Sequence, residues 1–359
     1  MKVLLEDDPA AIRRVKREWM NLVMESSSCW VFSTPQWADA WLDAFKDNHK
    51  FGLALAYDGK DLIGILPVLL DYSDWKFLFS RRLTPVNGMR GDYFSPIIKK
   101  GMEHETTIKL ICKIFVHFRK KGVIVFPHIP IDHPCFLIIK NYFKDNDISW
   151  VEVPTICPRL IFLSSYDATE KSFKASHRGD IRRQKRRLGK LGELSLVKIT
   201  DPSEAKRYLD EFVQVYDMRW RTTGHRSIFQ DNRVIKFYEN LIDNLINSYL
   251  NFSLLKVGEE VVSYHFGFQF GEWLYWYKPT YKLKYQNMSP SKIHLSMLVE
   301  EGISNGLRGL DLLSGDEEYK SQWANERYKT MTFIGAFNSL NIGYHFNIKV
   351  KKWLKGKGQ

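Results

Sequence analysis

Apolar and polar residues alternate along the chain in two similar series, one in each half. Residues 53–66 contain two alternating segments joined by an Asp-Gly turn, and residues 252–266 have the same layout around Gly258. Alternation with a period of two on both sides of a tight turn predicts a β-hairpin in each half. The repetition indicates two related domains.

Each predicted hairpin is surrounded by further elements in the same order. A helix with aromatic residues on one face precedes it, and a strand, a second helix and a short apolar strand follow. The predicted helices and short strands cover residues 35–45, 105–120 and 123–126 in the first half and residues 205–220, 290–305 and 309–313 in the second. A repeat of this length is typical of duplicated α/β domains, because solenoid periods are far shorter.

Length and composition agree with this organisation. At 359 residues, with 44% apolar and 26% charged residues, the chain is long enough for two globular domains that each bury a core. We predict an N-terminal domain over residues 1–160 and a C-terminal domain over residues 193–345. A basic linking helix within residues 161–192 joins them, and a basic tail follows at 346–359.

Positive charge is concentrated in the linking helix and the tail. Of the net charge of +12, residues 174–190 contribute eight Lys or Arg against one Asp, and residues 349–357 contribute five Lys and no acid. Such clusters predict an anionic partner, which can be phosphate, a membrane surface or nucleic acid. Arg182 is a candidate contact for a nucleotide-sugar diphosphate, a lipid phosphate or tRNA. A solvated basic face is the simpler interpretation.

Other features bear on location and metal binding. The four cysteines form no CxxC pair, the N-terminus is acidic, and no apolar run approaches the length of about 20 residues that a membrane span needs. We therefore expect a cytoplasmic protein without a metal site. The lysine-rich tail is either a peripheral contact with the anionic inner face of the membrane or a frayed end.

The start of the last long predicted helix carries the main candidate site. Ser289 is a suitable N-cap, and Pro290 suits the first helical position. The N–H groups of Ser291, Lys292 and Ile293 are then expected to be free at the positive end of the helix dipole. A diphosphate binds well at such a helix start, where Lys292 adds charge. An ordinary structural helix start is the competing interpretation.

The corresponding segment of the first half has a different character. It places Glu103 and Glu105 where phosphates would bind, and carboxylates repel phosphate. We therefore expect only the C-terminal domain to bind a nucleotide. The N-terminal domain is expected to be a degenerate copy that is structural or that shapes the substrate site.

The spacing of this turn resembles a known family. Gln286-x-x-Ser289-x-Ser291 matches the Gln/Arg-x-x-Gly-x-Gly/Ala coenzyme A loop of GNAT acyltransferases, with Ser in both Gly positions. Nearly the whole chain resembles the GNAT-like acyltransferases of bacterial cellulose and exopolysaccharide synthesis. The matching residues are 178–188, Arg219-Trp220, Ser289-Pro290, Asp311, Gly315-Asp316, Tyr319 and Lys320, with residues 32–37 similar to that family's opening helix.

The resemblance implies a fold and a co-substrate. Each of the two tandem GNAT-like domains is expected to have a mixed central sheet flanked by helices, in an α/β (α+β) fold. Acetyl-CoA or another acyl-CoA is the implied co-substrate, bound by the turn from Gln286 to Ile293. The chain is also similar, more distantly, to the tandem-GNAT Fem peptidyltransferases, which take amino acids from charged tRNA.

The segment after the last short strand supplies candidate catalytic groups. Acyl transfer needs a base for the acceptor proton and an acid for the leaving thiolate. Asp311 or Asp316 is the candidate base, Tyr319 the candidate acid, and Lys320 a candidate ligand for a phosphate or sugar-acid group. The alternative is structural, with Gly315 ending the strand and the other residues capping and packing the next helix.

Aromatic and basic residues suggest an acceptor pocket. Arg219 and Trp220 end the first helix of the C-terminal domain, where the resemblance places the acceptor. Tyr264, His265 and Trp276 lie on neighbouring predicted strands and suit stacking against a sugar. A hydrogen-bonded structural histidine is the commoner role for a strand residue such as His265.

These observations lead to three functional hypotheses. The first is an acyl-CoA-dependent N- or O-acyltransferase, with acetyl as the expected acyl group, acting on a sugar, nucleotide-sugar or lipid-linked precursor of the cell envelope. The second is an aminoacyl-tRNA-dependent transferase of the Fem type. The third is a non-catalytic GNAT-like scaffold of a polysaccharide synthase. The linking helix lacks interleaved aromatic residues, so nucleic acid other than tRNA is not an expected partner.

Overall fold

A computed structural model describes the chain in four stretches, residues 1–71, 82–86, 90–118 and 122–336. The basic tail predicted at 346–359 lies outside the described residues. The described chain forms two compact units. Of the described residues, those within Met1–Thr155 and those from Lys329 to Ala336 form one unit, and Ile156–Tyr328 forms the other. The residues from Lys329 to Ala336, which the sequence assigned to the C-terminal domain, thus lie in the first unit.

The first unit contains a mixed sheet flanked by helices. Strands β1 to β4 run antiparallel in sequence order, and β4 pairs in parallel with β6. Residues Thr330–Ala336 of β13 (Glu326–Ala336) pair antiparallel with β6. Its strands are β1 (Lys2–Glu6), β2 (His49–Asp58), β3 (Asp61–Asp71), β4 (Arg82–Pro85), β5 (Ile97–Ile98), β6 (Val123–Pro130) and the first part of β7 (Ser149–Ile161). Its helices are α1 (Ala11–Arg14), α2 (Lys16–Glu25), α3 (Pro35–Phe45), α4 (Glu103–His117) and α5 (Pro134–Asp145).

Helix α4 packs closely on the sheet of the first unit. Its buried face includes Leu110, Ile114 and Phe115, which belong to the same apolar cluster as Phe126 of β6. Gly64 of β3 makes the close approach of α4 sterically feasible, because a Cβ there would lie 2.4 Å from a methyl group of Thr106. The core of this unit is therefore a helix laid on a sheet, as in other α/β proteins.

The strands of the second unit also pair in a mixed pattern. Its strands follow the order β8, β9, β10, β11, β12 and the end of β7, with β11 and β12 parallel and the other pairs antiparallel. The strands are β8 (Leu194–Lys198), β9 (Leu250–Val257), β10 (Glu260–Phe270), β11 (Trp273–Tyr281), β12 (Gly309–Asp311) and the first residues of β13 (Glu326–Ala336). The helices are α6 (Tyr166–Lys171), α7 (Ala175–Gly189), α8 (Pro202–Arg221), α9 (Asn232–Leu245), α10 (Pro290–Ser304) and α11 (Glu318–Trp323).

The two units repeat one topology, as the sequence pattern predicts. In each, an antiparallel hairpin (β2–β3 and β9–β10) leads to a strand that pairs in parallel with the next short strand across a helix. Gly59 and Gly258 take positive φ angles of 59° and 57° in the hairpin turns, where a side chain would be strained. The predicted α/β (α+β) fold is confirmed, because the strands form mixed β-sheet flanked by helices.

The predicted linking helix is two helices, α6 and α7, and α7 is part of the core of the second unit. The helical conformation is interrupted between them at Ser172–Lys174, where Phe173 is buried. Ile181 and Leu188 of α7 join the apolar cluster that includes Ile293 of α10. Burial of this stripe on one face of α7 leaves most of its Arg and Lys residues exposed. Within the described stretches, no helix has the length and apolar character needed to cross a membrane.

Candidate active site

Strands β11 and β12 separate and leave a cavity between them. Only Trp273–Tyr275 of the nine-residue β11 pair with β12, opposite Gly309–Asp311. Beyond that point lies a cavity of about 410 Å³. Its lining comprises Tyr216, Arg219, Trp276, Tyr277, Lys278, Pro279, Tyr281, Gln286, Ser289, Ser291, Lys292, Leu295, Glu317, Tyr319 and Trp323.

The turn after β12 explains the separation. The side chain of Asp311 accepts a hydrogen bond of 2.8 Å from the N–H of Leu313. Leu313 has a φ of 63°, a left-handed conformation that is rare for a leucine. The chain therefore stops pairing with β11 after Asp311, while β11 continues for six more residues. It stays beside β7, where the N–H groups of Leu312 and Gly315 donate to the carbonyls of Pro158 and Ile156, both at 3.0 Å.

Seven of the residues singled out in the sequence meet on this cavity. They are Arg219, Trp276, Gln286, Ser289, Ser291, Lys292 and Tyr319. The other eight do not line it, and they are Arg182, Trp220, Tyr264, His265, Ile293, Asp311, Asp316 and Lys320. The turn at the start of α10 and the start of α11 thus approach the same space from different parts of the chain.

The start of α10 differs from the predicted geometry. Ser289 occupies the N-cap position, but its side chain makes no capping hydrogen bond, and its backbone is left-handed with φ 50° and ψ 54°. The N–H of Ser289 instead donates to the carbonyl of Gln286 at 3.2 Å, in the 3₁₀ turn Leu283–Met288. A serine here adopts the conformation that glycine adopts most readily, in one of the two positions where the sequence has Ser for the Gly of the resembled loop.

The expected set of free amides is also smaller than predicted. The N–H groups of Lys292 and Ile293 both donate to the carbonyl of Ser289, at 3.0 and 3.4 Å. The side chain of Ile293 is fully buried, so this residue offers the cavity nothing. Among the described residues, no acceptor is seen for the N–H of Ser291, which is the remaining amide of the three.

The positive charge of Lys292 is paired within the protein. Its ammonium forms an ion pair with Asp180 of α7. Burial acts to raise the pKa of Asp180, but hydrogen bonds from Lys292 and Arg183 lower it to about 2. Another residue of α7, Arg187, donates to the carbonyl of Asn287 at 2.8 Å. Helix α7 therefore holds the start of α10 through Asp180 and the turn before it through Arg187.

Asp311, one of the two predicted bases, has a structural role. It is 1% exposed and forms an ion pair of 2.7 Å with Arg159 of β7. The guanidinium of Arg159 also lies 3.3 Å from the ring centre of Tyr328. A buried carboxylate held by a guanidinium and by the N–H of Leu313 is committed to these partners, so the prediction of Asp311 as a base does not fit the structure.

The acid on the cavity is Glu317, which no sequence pattern singles out. Asp316 is exposed and off the cavity, whereas Glu317, one residue later, lines it just before α11. Lys320 is buried and donates to Glu317 at 2.9 Å and to the carbonyl of Ser314 at 2.7 Å. Its charge therefore stabilises Glu317 and the turn, and it is not available for a phosphate as predicted.

Tyr319 brings a phenol into the same cavity. The residue is 43% exposed, but its hydroxyl lies against the indole of Trp276. Burial raises the pKa of Tyr319, and the charge of Glu317 adds to this, while Arg219 and a hydrogen bond with Trp276 oppose it. The net effect is a rise, so the phenol is a neutral proton donor at pH 7.

Aromatic rings form one wall of the cavity. The guanidinium of Arg219 lies 5.6 Å from the ring centre of Tyr216 and 5.5 Å from that of Tyr281. Trp220 stacks on Tyr216 at 5.8 Å from outside the lining. Rings with a cation near them are suited to a flat or sugar-like group that carries negative charge.

The remaining candidates support this wall or lie elsewhere. His265 is buried and stacks on Trp276 at 4.2 Å. Tyr264 is buried and its hydroxyl donates to Glu211 at 2.9 Å. Arg182 is exposed, off the cavity, and paired with Glu170. In the described stretches, no three His, Cys, Asp or Glu side chains are arranged to hold a metal ion.

One protein-family model matches most of the second unit. Residues 175–321 match the family model described as an acetyltransferase (GNAT) domain. The match begins with α7 and ends in α11, and it therefore includes every residue that lines the cavity except Trp323. A search of curated protein sequences finds no match.

Solved structures share the fold along nearly the whole chain. A structure of FemX aligns with a TM-score of 0.65 at 10% identity, covering 93% of this chain and 97% of that one. L-PGS from Bacillus licheniformis aligns with a TM-score of 0.58 at 13% identity, covering 98% of each chain. A tandem GNAT protein from the clavulanic acid biosynthesis pathway gives 0.54 at 8% identity, covering 95% and 100%. At such identities the likeness concerns the fold alone.

Proposed function

We propose that this protein, a member of the GNAT superfamily, transfers an acyl group from acyl-coenzyme A to an amine or hydroxyl group of a sugar or cell-envelope precursor. The observation that carries the proposal is the cavity where β11 leaves β12. It combines a helix start, a carboxylate and a phenol in one place. A direct acyl transfer needs such groups for phosphate binding, proton removal and proton donation.

The donor is proposed to bind at the start of α10. The N–H of Ser291 and the dipole of this 15-residue helix favour a diphosphate there. The thioester then follows the edge of β11 that is not paired with β12, towards Tyr319. We propose acetyl as the acyl group, and a nucleotide-linked or lipid-linked sugar as the acceptor against Tyr216, Trp276 and Arg219.

The chemistry follows from the two acidic side chains on the cavity. Glu317 accepts a proton from the acceptor amine or hydroxyl as its nitrogen or oxygen attacks the thioester carbonyl. When the tetrahedral intermediate collapses, the carbon–sulfur bond breaks and Tyr319 donates its proton to the departing thiolate. Lys320 holds Glu317 in place by its hydrogen bond of 2.9 Å.

Calorimetric titration with acetyl-CoA and with longer acyl-CoAs tests the proposal. Binding of an acyl-CoA is expected, and Ser291→Glu is expected to abolish it by placing a carboxylate at the helix start. Ser304→Glu is the matched control, because Ser304 is exposed at the other end of the same helix. No binding of any acyl-CoA, or equal binding by the wild type and Ser291→Glu, would refute the proposal.

An aminoacyl-tRNA-dependent transferase is the second candidate, and one observation favours it. The hydrogen bond from Arg187 to Asn287 places α7, with its exposed Arg182, Arg183 and Arg186, beside the turn of the cavity. Binding of tRNA through this helix is expected to weaken steeply with salt. A flat salt dependence would remove this candidate, and turnover of any acyl donor would exclude a non-catalytic scaffold.

A further inference from the structure

A hydrogen-bonded series of polar side chains extends from the cavity into the core of the second unit. Ser291 Oγ lies 3.4 Å from Ser263 Oγ of β10, which lies 3.2 Å from His294 Nδ1 of α10. His294 Nε2 lies 2.9 Å from Ser253 Oγ of β9, which lies 3.4 Å from His265 Nδ1. The four inner residues are at most 2% exposed, so each depends on the others for hydrogen bonds.

The carbonyl of Thr280 sets the direction of these hydrogen bonds. A carbonyl only accepts, so the single hydroxyl proton of Ser263 is committed to Thr280, at 2.9 Å. Ser263 Oγ must therefore accept at its other contacts, from His294 Nδ1–H and from the hydroxyl of Ser291. His294 Nε2, which then carries no proton, accepts from Ser253.

The protonation of His294 agrees with this assignment. Burial lowers its pKa to about 3, so at neutral pH the ring carries one proton and acts as donor at one nitrogen and acceptor at the other. Burial likewise lowers the pKa of His265 well below its usual value. The two histidines of this series therefore introduce no charge into the core.

His265, at the inner end of this series, is held by packing. The ring of His265 stacks on Trp276 at 4.2 Å. It also fills the space above Gly267, where a Cβ would lie 2.0 Å from the ring. Gly267 lies in the irregular part of the β10–β11 ladder, between Phe266 and Phe268. The series thus connects Ser291 and Trp276, two residues that line the cavity.

We infer that His294 is a positioning residue for ligand binding, because its hydrogen bond to Ser263 leaves the hydroxyl of Ser291 able to turn and donate to a phosphate oxygen in the cavity. With His294 present, Ser263 keeps one donated and one accepted hydrogen bond when Ser291 turns away. Without His294, the hydroxyl of Ser291 is the remaining donor to the buried Ser263 Oγ. If the hydroxyl of Ser291 then turns away, Ser263 Oγ accepts no hydrogen bond. The inference rests on the proposed function in so far as the ligand carries a diphosphate.

Two substitutions at position 294 separate this role from simple packing. The side-chain amide of Asn reaches the place of Nδ1, whereas that of Gln reaches the place of Nε2. His294→Asn is therefore expected to keep the donor to Ser263 and to bind like the wild type. His294→Gln is expected to keep only the contact with Ser253 and to bind about tenfold more weakly. The probes are acetyl-CoA and inorganic pyrophosphate.

A double-mutant cycle provides the second readout. In a Ser291→Ala background, His294→Asn and His294→Gln are expected to bind equally, because the hydroxyl through which they act is gone. If the position 294 variants do not fold, Ser263→Ala takes their place. It removes the buried acceptor that competes for the proton of Ser291, so binding at least as tight as that of the wild type is expected. Weaker binding by Ser263→Ala, or equal effects of Asn and Gln with Ser291 present, would overturn the inference.

A measurement on the ligand-free protein keeps the inference distinct from the proposed function. ¹⁵N chemical shifts of the His294 ring are expected to show the proton on Nδ1, and a proton on Nε2 would overturn the inference whatever the protein binds. Binding of pyrophosphate without acetyl-CoA would refute the proposed donor and leave the inference standing. Failure of the wild type to bind either probe would refute both.

Discussion

The ammonium group of Lys292 forms an ion pair with the carboxylate of Asp180, and both side chains are only 23% exposed. Lys292 lies at the start of α10 on the cavity, and Asp180 lies on α7. The lysine that the sequence offers as an anion-binding group is thus already paired with an internal anion. An incoming phosphate must compete with Asp180 for it.

Removing this competition is expected to strengthen anion binding. Asp180→Asn should bind acetyl-CoA about fivefold more tightly, since a partly exposed ion pair is worth about 1 kcal/mol. Calorimetric titration measures the change. Asp167→Asn is the control, because Asp167 forms an exposed ion pair with Lys171 away from the cavity. Weaker binding by Asp180→Asn would show that Asp180 supports the site instead of competing with its ligand.

The identity of the base is tested by two neighbouring residues. Glu317→Gln is expected to lower kcat about 100-fold, in the range of general-base catalysis, because Glu317 lies on the cavity. Asp316→Asn should leave kcat unchanged, since Asp316 is exposed and off the cavity. Steady-state kinetics with acetyl-CoA and an amino sugar provide the comparison. A larger loss from Asp316→Asn than from Glu317→Gln would reverse the assignment.

The phenol of Tyr319 predicts a characteristic pH profile. Its pKa is raised above the usual value of 10, and the protonated form is the active donor, so the rate is expected to fall only as the pH rises above about 10. Tyr319→Phe should lower kcat about 100-fold and abolish this alkaline limb, with the KM for acetyl-CoA nearly unchanged. An alkaline limb that persists in Tyr319→Phe would belong to another group.

Ser289 tests the backbone conformation of the turn. A left-handed serine carries strain of about 1 kcal/mol that glycine does not, so Ser289→Gly should leave the melting temperature unchanged or raise it and keep acetyl-CoA binding. Ser289→Val should lower both stability and affinity, because a β-branched residue resists φ 50°. Thermal unfolding and titration measure the two effects. Equal behaviour of Gly and Val would mean that the turn adopts another conformation in solution.

Asp311 is expected to act on stability instead of catalysis. Asp311→Asn leaves the largely buried guanidinium of Arg159 without its carboxylate and should cost roughly 3–5 kcal/mol of unfolding free energy. Activity per folded molecule should fall much less than for Glu317→Gln. Asp39→Asn, which breaks an exposed ion pair with Arg13, should change stability by under about 1 kcal/mol. Urea denaturation monitored with activity distinguishes these outcomes, and a stable but inactive Asp311→Asn would restore Asp311 as a base candidate.

The elements of the fold were largely predictable because their signals are local. The period of apolar residues and the turns at Gly59 and Gly258 define both hairpins, and Pro35 and Pro290 mark helix starts that the structure places at the same residues. The contiguous turn from Gln286 to Lys292 was found for the same reason. The break between α6 and α7 was missed because no Pro or Gly marks it, and the interruption falls at Ser172-Phe173-Lys174.

The choice of acid at the cavity was not predictable from the pattern. Asp316, Glu317 and Glu318 are consecutive, and no periodicity distinguishes them. The left-handed Gly315, at φ 117°, and the start of α11 at Glu318 decide which carboxylate lines the cavity. A Cβ on Gly315 would lie 2.4 Å from a carboxylate oxygen of Glu317, so the glycine makes room for the side chain that lines the cavity.

The sequence by itself determined the two repeated units, the turn before α10 and the set of polar residues from which a site would be built. These depend on periodicity, turn residues and helix starts, which act over a few neighbouring positions. Only the tertiary structure decided which charged side chains form ion pairs within the protein. Asp180 and Lys292 are 112 residues apart, and Arg159 and Asp311 are 152 apart. Burial and pairing over such separations depend on the packing of strands and helices against one another, which no local pattern encodes.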